Sequence, residues 1–138
     1  MRFSIYADGG SRGNPGPAGS GAVVRDGAGK TIIEVSEYLG RTTNNVAEYT
    51  AIVRALEGLK KLLGDKANEA DVAVRMDSQL VVRQMNGEYK IKHPNLKPLA
   101  AQVLMLRHAF ASVSFEHVYR ENNKDADALA NAAMDRGS

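Results

Sequence analysis

Between Leu39 and Asn45 the spacing of apolar residues changes its period, and that change limits the chain to few folds. Upstream, Phe3, Ile5 and Ala7 alternate with Ser4, Tyr6 and Asp8, the period of a strand ending at Asp8. Apolar runs at 21–25 and 30–39 flank Asp26-Gly27-Ala28-Gly29, a hairpin turn by composition. From Asn45, Tyr49, Ile52, Val53, Leu56, Leu59 and Leu63 fall on one helical face, Lys60 and Lys61 suit the carboxyl end of the dipole, and Gly64 suits the stop. The pattern then predicts a strand at 71–76, a short helix at 78–85, a basic connector holding Lys90, Lys92 and His93, and a helix from about Asn95. That helix carries the stripe Leu96, Leu99, Val103, Leu106 and Phe110, and Pro98 is tolerated in its first turn. A strand at 113–119 and an alanine-rich helix at 123–134 follow. Three antiparallel strands, then a helical crossover into parallel ones, predict an α/β fold: a five-stranded mixed sheet flanked by helices.

No linker or repeat divides the 138 residues, so the expectation is one domain over 1–138. Eighteen Lys and Arg against sixteen Asp and Glu leave a net charge of +2, too little to argue nucleic-acid binding by itself. If four of the acids are committed to cations, the remaining surface is more basic than that total. The absence of cysteine excludes disulfides and thiolate-bound zinc. The amino terminus has no secretory pattern, and no apolar run approaches the roughly 20 residues of a membrane span. The expectation is a soluble, cytoplasmic monomer.

Four acids, Asp8, Glu48, Asp77 and Asp127, stand at predicted junctions between strand, loop and helix. Each has a reading that needs no function. Asp8 precedes the glycine-rich segment Gly9-Gly10-Ser11-Arg12-Gly13-Asn14-Pro15-Gly16, which reads as a turn with backbone exposed to a close-approaching polymer. Asn45 with Glu48 three residues on resembles a capping box, which leaves Asn44 over for reading base edges or ribose hydroxyls. Either Asp77 or Ser78 suffices to cap the short helix, and Asp125 and Asp127 both suit a helix start. Position argues for more: a strand entered by crossover lies beside the first, so Asp77 falls near Asp8 at the carboxyl edge where open α/β sheets build sites. Four converging carboxylates form a cage for hard divalent cations and suit chemistry on phosphate esters.

Taken together, Tyr6-Ala7-Asp8-Gly9-Gly10-Ser11-Arg12-Gly13-Asn14-Pro15-Gly16, Thr42-Thr43-Asn44-Asn45-Val46-Ala47-Glu48, Asp77-Ser78-Gln79 and Asp127-Ala128-Leu129-Ala130 resemble ribonuclease HI over nearly the whole chain. The resemblance implies the ribonuclease H-like fold and an endonuclease that cuts the RNA strand of RNA/DNA hybrids, with removal of RNA primers and R-loops as its use. It implies Asp8, Glu48, Asp77 and Asp127 as catalytic ligands of two Mg²⁺ ions, with Mn²⁺ as the alternative, about 4 Å apart and leaving 5′-phosphate and 3′-hydroxyl ends. It implies Ser11, Asn14, Asn44, Asn45 and Gln79 as contacts to the hybrid, with Glu48 also accepting from a 2′-hydroxyl. Two departures stand out. The segment Tyr119-Arg120-Glu121-Asn122-Asn123-Lys124 lacks the histidine many members carry there, leaving Arg120 and Glu121 as candidates for its place, while His117 reads as a half-buried strand residue. The stretch from Met85 to Leu96 is too short for the basic protrusion of some members, leaving Lys90, Lys92, Lys97 and Arg83 as the basic candidates.

Overall fold

In the computed structural model, which describes residues 1–138, β1 (Arg2–Ser11), β2 (Gly16–Arg25) and β3 (Thr31–Thr42) form an antiparallel meander. Helix α1 (Asn44–Leu63) crosses to β4 (Asp71–Met76), α2 (Gln79–Met85) and α3 (Lys97–Arg107) lead to β5 (Ser112–His117), and α4 (Lys124–Arg136) follows. The sheet order is β3-β2-β1-β4-β5, with β4 parallel to both β1 and β5. This is the expected five-stranded mixed sheet, and it has the ribonuclease H-like arrangement.

One sheet face is closed by α1 and α3. Tyr49, Ile52, Val53, Leu56 and Leu59 are fully buried there against Ile5, Val24, Val74 and Met76, while Leu63 lies at the margin. At about 1.5–3 kcal/mol for each large apolar side chain removed from water, this stripe is what holds α1 to the sheet. Val103 and Phe110 anchor the α3 segment in the same core. Its helix begins at Lys97, two residues later than expected, because Leu96 packs inward as the cap residue and Pro98 occupies the first turn.

The other face receives α4, and here small residues set the distance. A Cβ on Gly21 would stand 2.2 Å from the Ala126 carbonyl oxygen, and one on Gly19 would stand 2.6 Å from that of Ala130. The buried helix residues are themselves Ala126, Ala130 and Ala133. The glycines of β2 and the alanines of α4 form one contact, in which absent side chains let backbone meet backbone.

Two sequence expectations are corrected. Asp8 does not end β1: the strand runs on to Ser11, with Gly10 opposite Gly19 and Ser11 opposite Ala18. The exposed glycine loop is therefore mostly hairpin, and only the turn around Arg12 and Asn14 is loop. Asn45 does not cap α1. Thr43 does, its hydroxyl accepting from the Val46 N–H at 3.3 Å, so Glu48 belongs to no capping box. No helix is long and apolar enough to cross a membrane.

Candidate active site

The last paired positions of β1 and β4 that run side by side are Tyr6 with Arg75. Two residues further along each strand, Asp8 and Asp77 emerge together, as the crossover argument requires. Glu48 comes from the first turns of α1 and Asp127 from the first turn of α4. All four carboxylates line one cavity of about 470 Å³.

Local features bring them there. Gly9 lets α1 approach the strand: a Cβ at that position would lie 2.3 Å from the Glu48 nitrogen. The buried Ser20 hydroxyl donates to the Ala47 carbonyl at 2.6 Å and fixes the same turn of the helix. Gly21, the partner of Asp8 across the ladder, admits α4 and with it Asp127. The Asn123 amide donates to the Ala7 carbonyl at 3.0 Å, fastening the start of α4 to the residue before Asp8. Ser78 caps α2 by accepting from the Val81 N–H at 3.3 Å, which leaves Asp77 free of structural duty.

Crowding shows in the acidities. The Asp8 carboxyl is pushed from 3.8 up to about 8, first by burial, then by the charge of Asp77 and by a hydrogen bond and charge from Asp127, against a smaller opposing bond from the Gly9 N–H. Glu48 is pushed from 4.5 up to about 7 by burial, partly offset by a hydrogen bond with Ser78, with the Asp77 charge adding to the rise. Near neutral pH these groups hold protons that an exposed carboxyl would have lost. No three acids are already posed around a single point as a finished ligand set. What the cavity offers is the charge demand and the oxygen-only donor chemistry that suit hard divalent cations such as Mg²⁺ or Mn²⁺.

Of the residues expected to contact substrate, Ser11, Asn44 and Asn45 line the cavity. Asn14 stands behind them: its side-chain oxygen accepts from the Asn44 N–H at 3.2 Å and from the Ser11 hydroxyl at 3.5 Å, tying the hairpin turn to the start of α1. Gln79 does not line this cavity and faces a separate depression with Val82, Arg83, Glu88 and His117. Arg83 is engaged with Tyr89, over whose ring it lies at 5.4 Å and to whose hydroxyl it donates at 3.0 Å. Between the two candidates for the missing histidine, Arg120 reaches the cavity, whereas Glu121 lines another depression with Tyr6 and Arg25.

Sequence reasoning missed Arg12, Asn131 and Met134 in the lining. Asn131 had a usable signal, since it follows Asp127 by one helical turn. Arg12 had none, being one more residue of a glycine-rich segment.

The sheet order, the helices on both faces and the acidic cavity at the central strands define a protein of the ribonuclease H-like class. The Reverse transcriptase-like family matches residues 6–133. A bifunctional protein of Mycobacterium tuberculosis is 48% identical over 98% of this chain, and the chain spans 36% of that protein's length. Ribonuclease HI of Halobacterium salinarum is 42% identical over 97% of the chain and 65% of its own length. A crystal structure of ribonuclease H1 from Halobacterium salinarum superposes with a TM-score of 0.90 at 41% identity, covering 99% of this chain and 99% of the crystallised one. A ribonuclease H1 isolated from compost, crystallised in complex with an RNA/DNA hybrid, is 50% identical with a TM-score of 0.91 over 97% of each chain. The chain belongs to the ribonuclease H family, in its type 1 branch.

Proposed function

We propose that this protein is an endonuclease that hydrolyses the RNA strand of RNA/DNA hybrids, leaving 5′-phosphate and 3′-hydroxyl ends. The observation that carries the reading is the convergence of Asp8, Glu48, Asp77 and Asp127, from four separate elements, in one cavity edged by amides and two arginines. These carboxylates would hold two divalent cations, Mg²⁺ or Mn²⁺. Bound there, the cations supply an activated water and neutralise the charge that develops on the departing 3′ oxygen. The rest falls to the chain. Asn44, Asn45 and Ser11 present amide and hydroxyl groups to ribose 2′-hydroxyls and base edges, the feature that separates RNA from DNA. Asn14 keeps Asn44 in place, Glu48 accepts from a 2′-hydroxyl, and Gln79 meets the duplex beyond the cavity. Arg120 supplies positive charge at the position where other members carry histidine.

The test is cleavage of labelled RNA/DNA, RNA/RNA and DNA/DNA duplexes of one sequence, with Mg²⁺ and then Mn²⁺, and with product ends identified by mass. The expected outcome is selective cutting of RNA in the hybrid. Equal cutting of DNA would make this a DNA nuclease on the same fold, and binding without cutting would make it a hybrid-binding module.

A further inference from the structure

Arg12 and Arg120 are the only cationic side chains lining the acidic cavity, and Arg12 is not free. Its guanidinium donates through one nitrogen to Asp135, in the last turn of α4. The pair joins the β1–β2 hairpin to the far end of the helix that carries Asp127. The backbone of Arg12 is fixed: its N–H donates to the Pro17 carbonyl at 2.9 Å, and a Cβ on Gly16 would lie 2.0 Å from the Arg12 carbonyl oxygen. Its side chain is half exposed, at 50%, and that of Asp135 is more so, at 68%. An acid in the last turn of a helix faces the negative end of the dipole, so Asp135 does nothing for its own helix. The charge that suits that end is supplied by Arg136, which donates to the Ser36 carbonyl at 2.9 Å.

We propose that Arg12 is a binding residue for a backbone phosphate of the nucleic acid at the cavity edge, and that Asp135 is the internal anion which occupies it until that phosphate arrives. The inference rests on the hybrid-cutting function proposed above and adds a site to it. Energies favour the exchange. An exposed, singly bonded ion pair contributes little to stability, whereas a phosphate offers the planar guanidinium a two-pronged, charge-assisted contact. A lone small anion lacks the neighbouring contacts needed to displace Asp135, while a polymer already lying across Asn44 and Asn45 brings its phosphate at high local concentration. The latch thereby disfavours stray anions more than duplex.

The experiment is fluorescence-anisotropy binding of an RNA/DNA hybrid across a salt series in chelator, for the parent, Arg12→Ala, Arg12→Lys, Asp135→Asn and the double variant, beside hybrid cleavage with Mg²⁺. Arg12→Ala should weaken binding roughly three- to tenfold and reduce the steepness of the log–log salt dependence by about one ion. Arg12→Lys should keep the salt dependence and recover part of the affinity. Asp135→Asn should tighten binding roughly two- to fivefold, the range set by loss of an exposed pair. In the Arg12→Ala background Asp135→Asn should be silent, since its only effect runs through Arg12. Equal tightening in both backgrounds would reduce Asp135 to one more repelling charge and overturn the latch. A parent that binds and cuts hybrid while Arg12→Ala binds as the parent does would overturn the phosphate site and the latch with it, and leave the proposed function standing. A parent that neither binds nor cuts hybrid would overturn the proposed function and the latch with it.

Discussion

Replacing Asp8 by asparagine should stabilise the metal-free protein above neutral pH, although it deletes a residue at the centre of the site. The carboxyl is ordinarily half-ionised at 3.8, and in the fold it is pushed up to about 8. Below pH 4 it is protonated both in the folded and in the unfolded chain, so folding loses nothing. Between pH 4 and 8 the unfolded chain releases the proton while the folded chain keeps it, and stability falls as pH rises. The full displacement corresponds to a ceiling of about 6 kcal/mol, of which about 4 kcal/mol is lost between pH 5 and pH 8. Against a total stability of roughly 5–15 kcal/mol, this is on the order of 10 °C in the unfolding midpoint.

The assay is urea unfolding at a series of pH values from 5 to 8 in chelator, comparing the parent with Asp8→Asn. The parent should lose stability steadily, and the variant should show a shallower slope that levels off above pH 7, where Glu48 completes its own titration. Taking the difference between the two curves cancels the titrating groups that do not interact with Asp8. Adding Mg²⁺ should restore the parent increasingly with pH, because cations compete with protons for the same oxygens. A parent curve that stays flat or rises from pH 5 to 8 would refute the crowding argument. So would an Asp8→Asn variant that is less stable than the parent at pH 8.

Other expectations follow from the same geometry. Asp77→Asn should bind hybrid yet cut it roughly a thousandfold more slowly, the loss of several kcal/mol of transition-state stabilisation; single-turnover rates within tenfold of the parent would contradict its role. Gly21→Ala forces a methyl to 2.2 Å from the Ala126 carbonyl oxygen and should cost about 3 kcal/mol in denaturant unfolding, whereas Gly27→Ala, whose nearest neighbour is at 3.6 Å, should be nearly silent. Ser78→Ala should cost about 1 kcal/mol for the lost cap. It should also drive Glu48 above its value of about 7, read by NMR titration of its side-chain carboxyl in chelator.

The fold and the four acids were legible because their signals are local or topological. The α1 stripe is a periodicity, and the closeness of Asp8 and Asp77 follows from any right-handed crossover between neighbouring strands. What escaped the sequence depends on partners distant along the chain. Whether Gly19 and Gly21 form an open loop or a seat for a helix is decided by Ala126 and Ala130, over 100 positions later. Thr43 and Asn45 are both good cap residues; the choice falls to Thr43 because β3 runs to Thr42, paired with Gly16, and the helix must begin immediately after it. Arg120 and Glu121 are adjacent and equally polar, yet a single 3-10 turn aims one into the cavity and the other into the neighbouring depression. No composition rule separates them, and the same holds for Gln79.

The features that assemble the site are also those that make it costly to fold. Gly9 and Gly21 draw α1 and α4 onto the central strands, and in doing so they bring four like charges into one cavity and strip water from two of them, Asp8 and Glu48, each only 8% exposed. Two residues earlier on the same strand and face stands the partly buried Tyr6, which lies under the Arg25 and Arg75 guanidiniums at 5.1 and 5.7 Å. Where a cation fits, the chain here places arginine over an aromatic ring. No arginine pairs with Asp8, although two line the cavity, and one of them, Arg12, is engaged with Asp135. Leaving the carboxylates unmatched from within is what keeps them available to ions from solution, so the pH sensitivity of the metal-free fold and its capacity to bind cations arise from the same uncompensated charge.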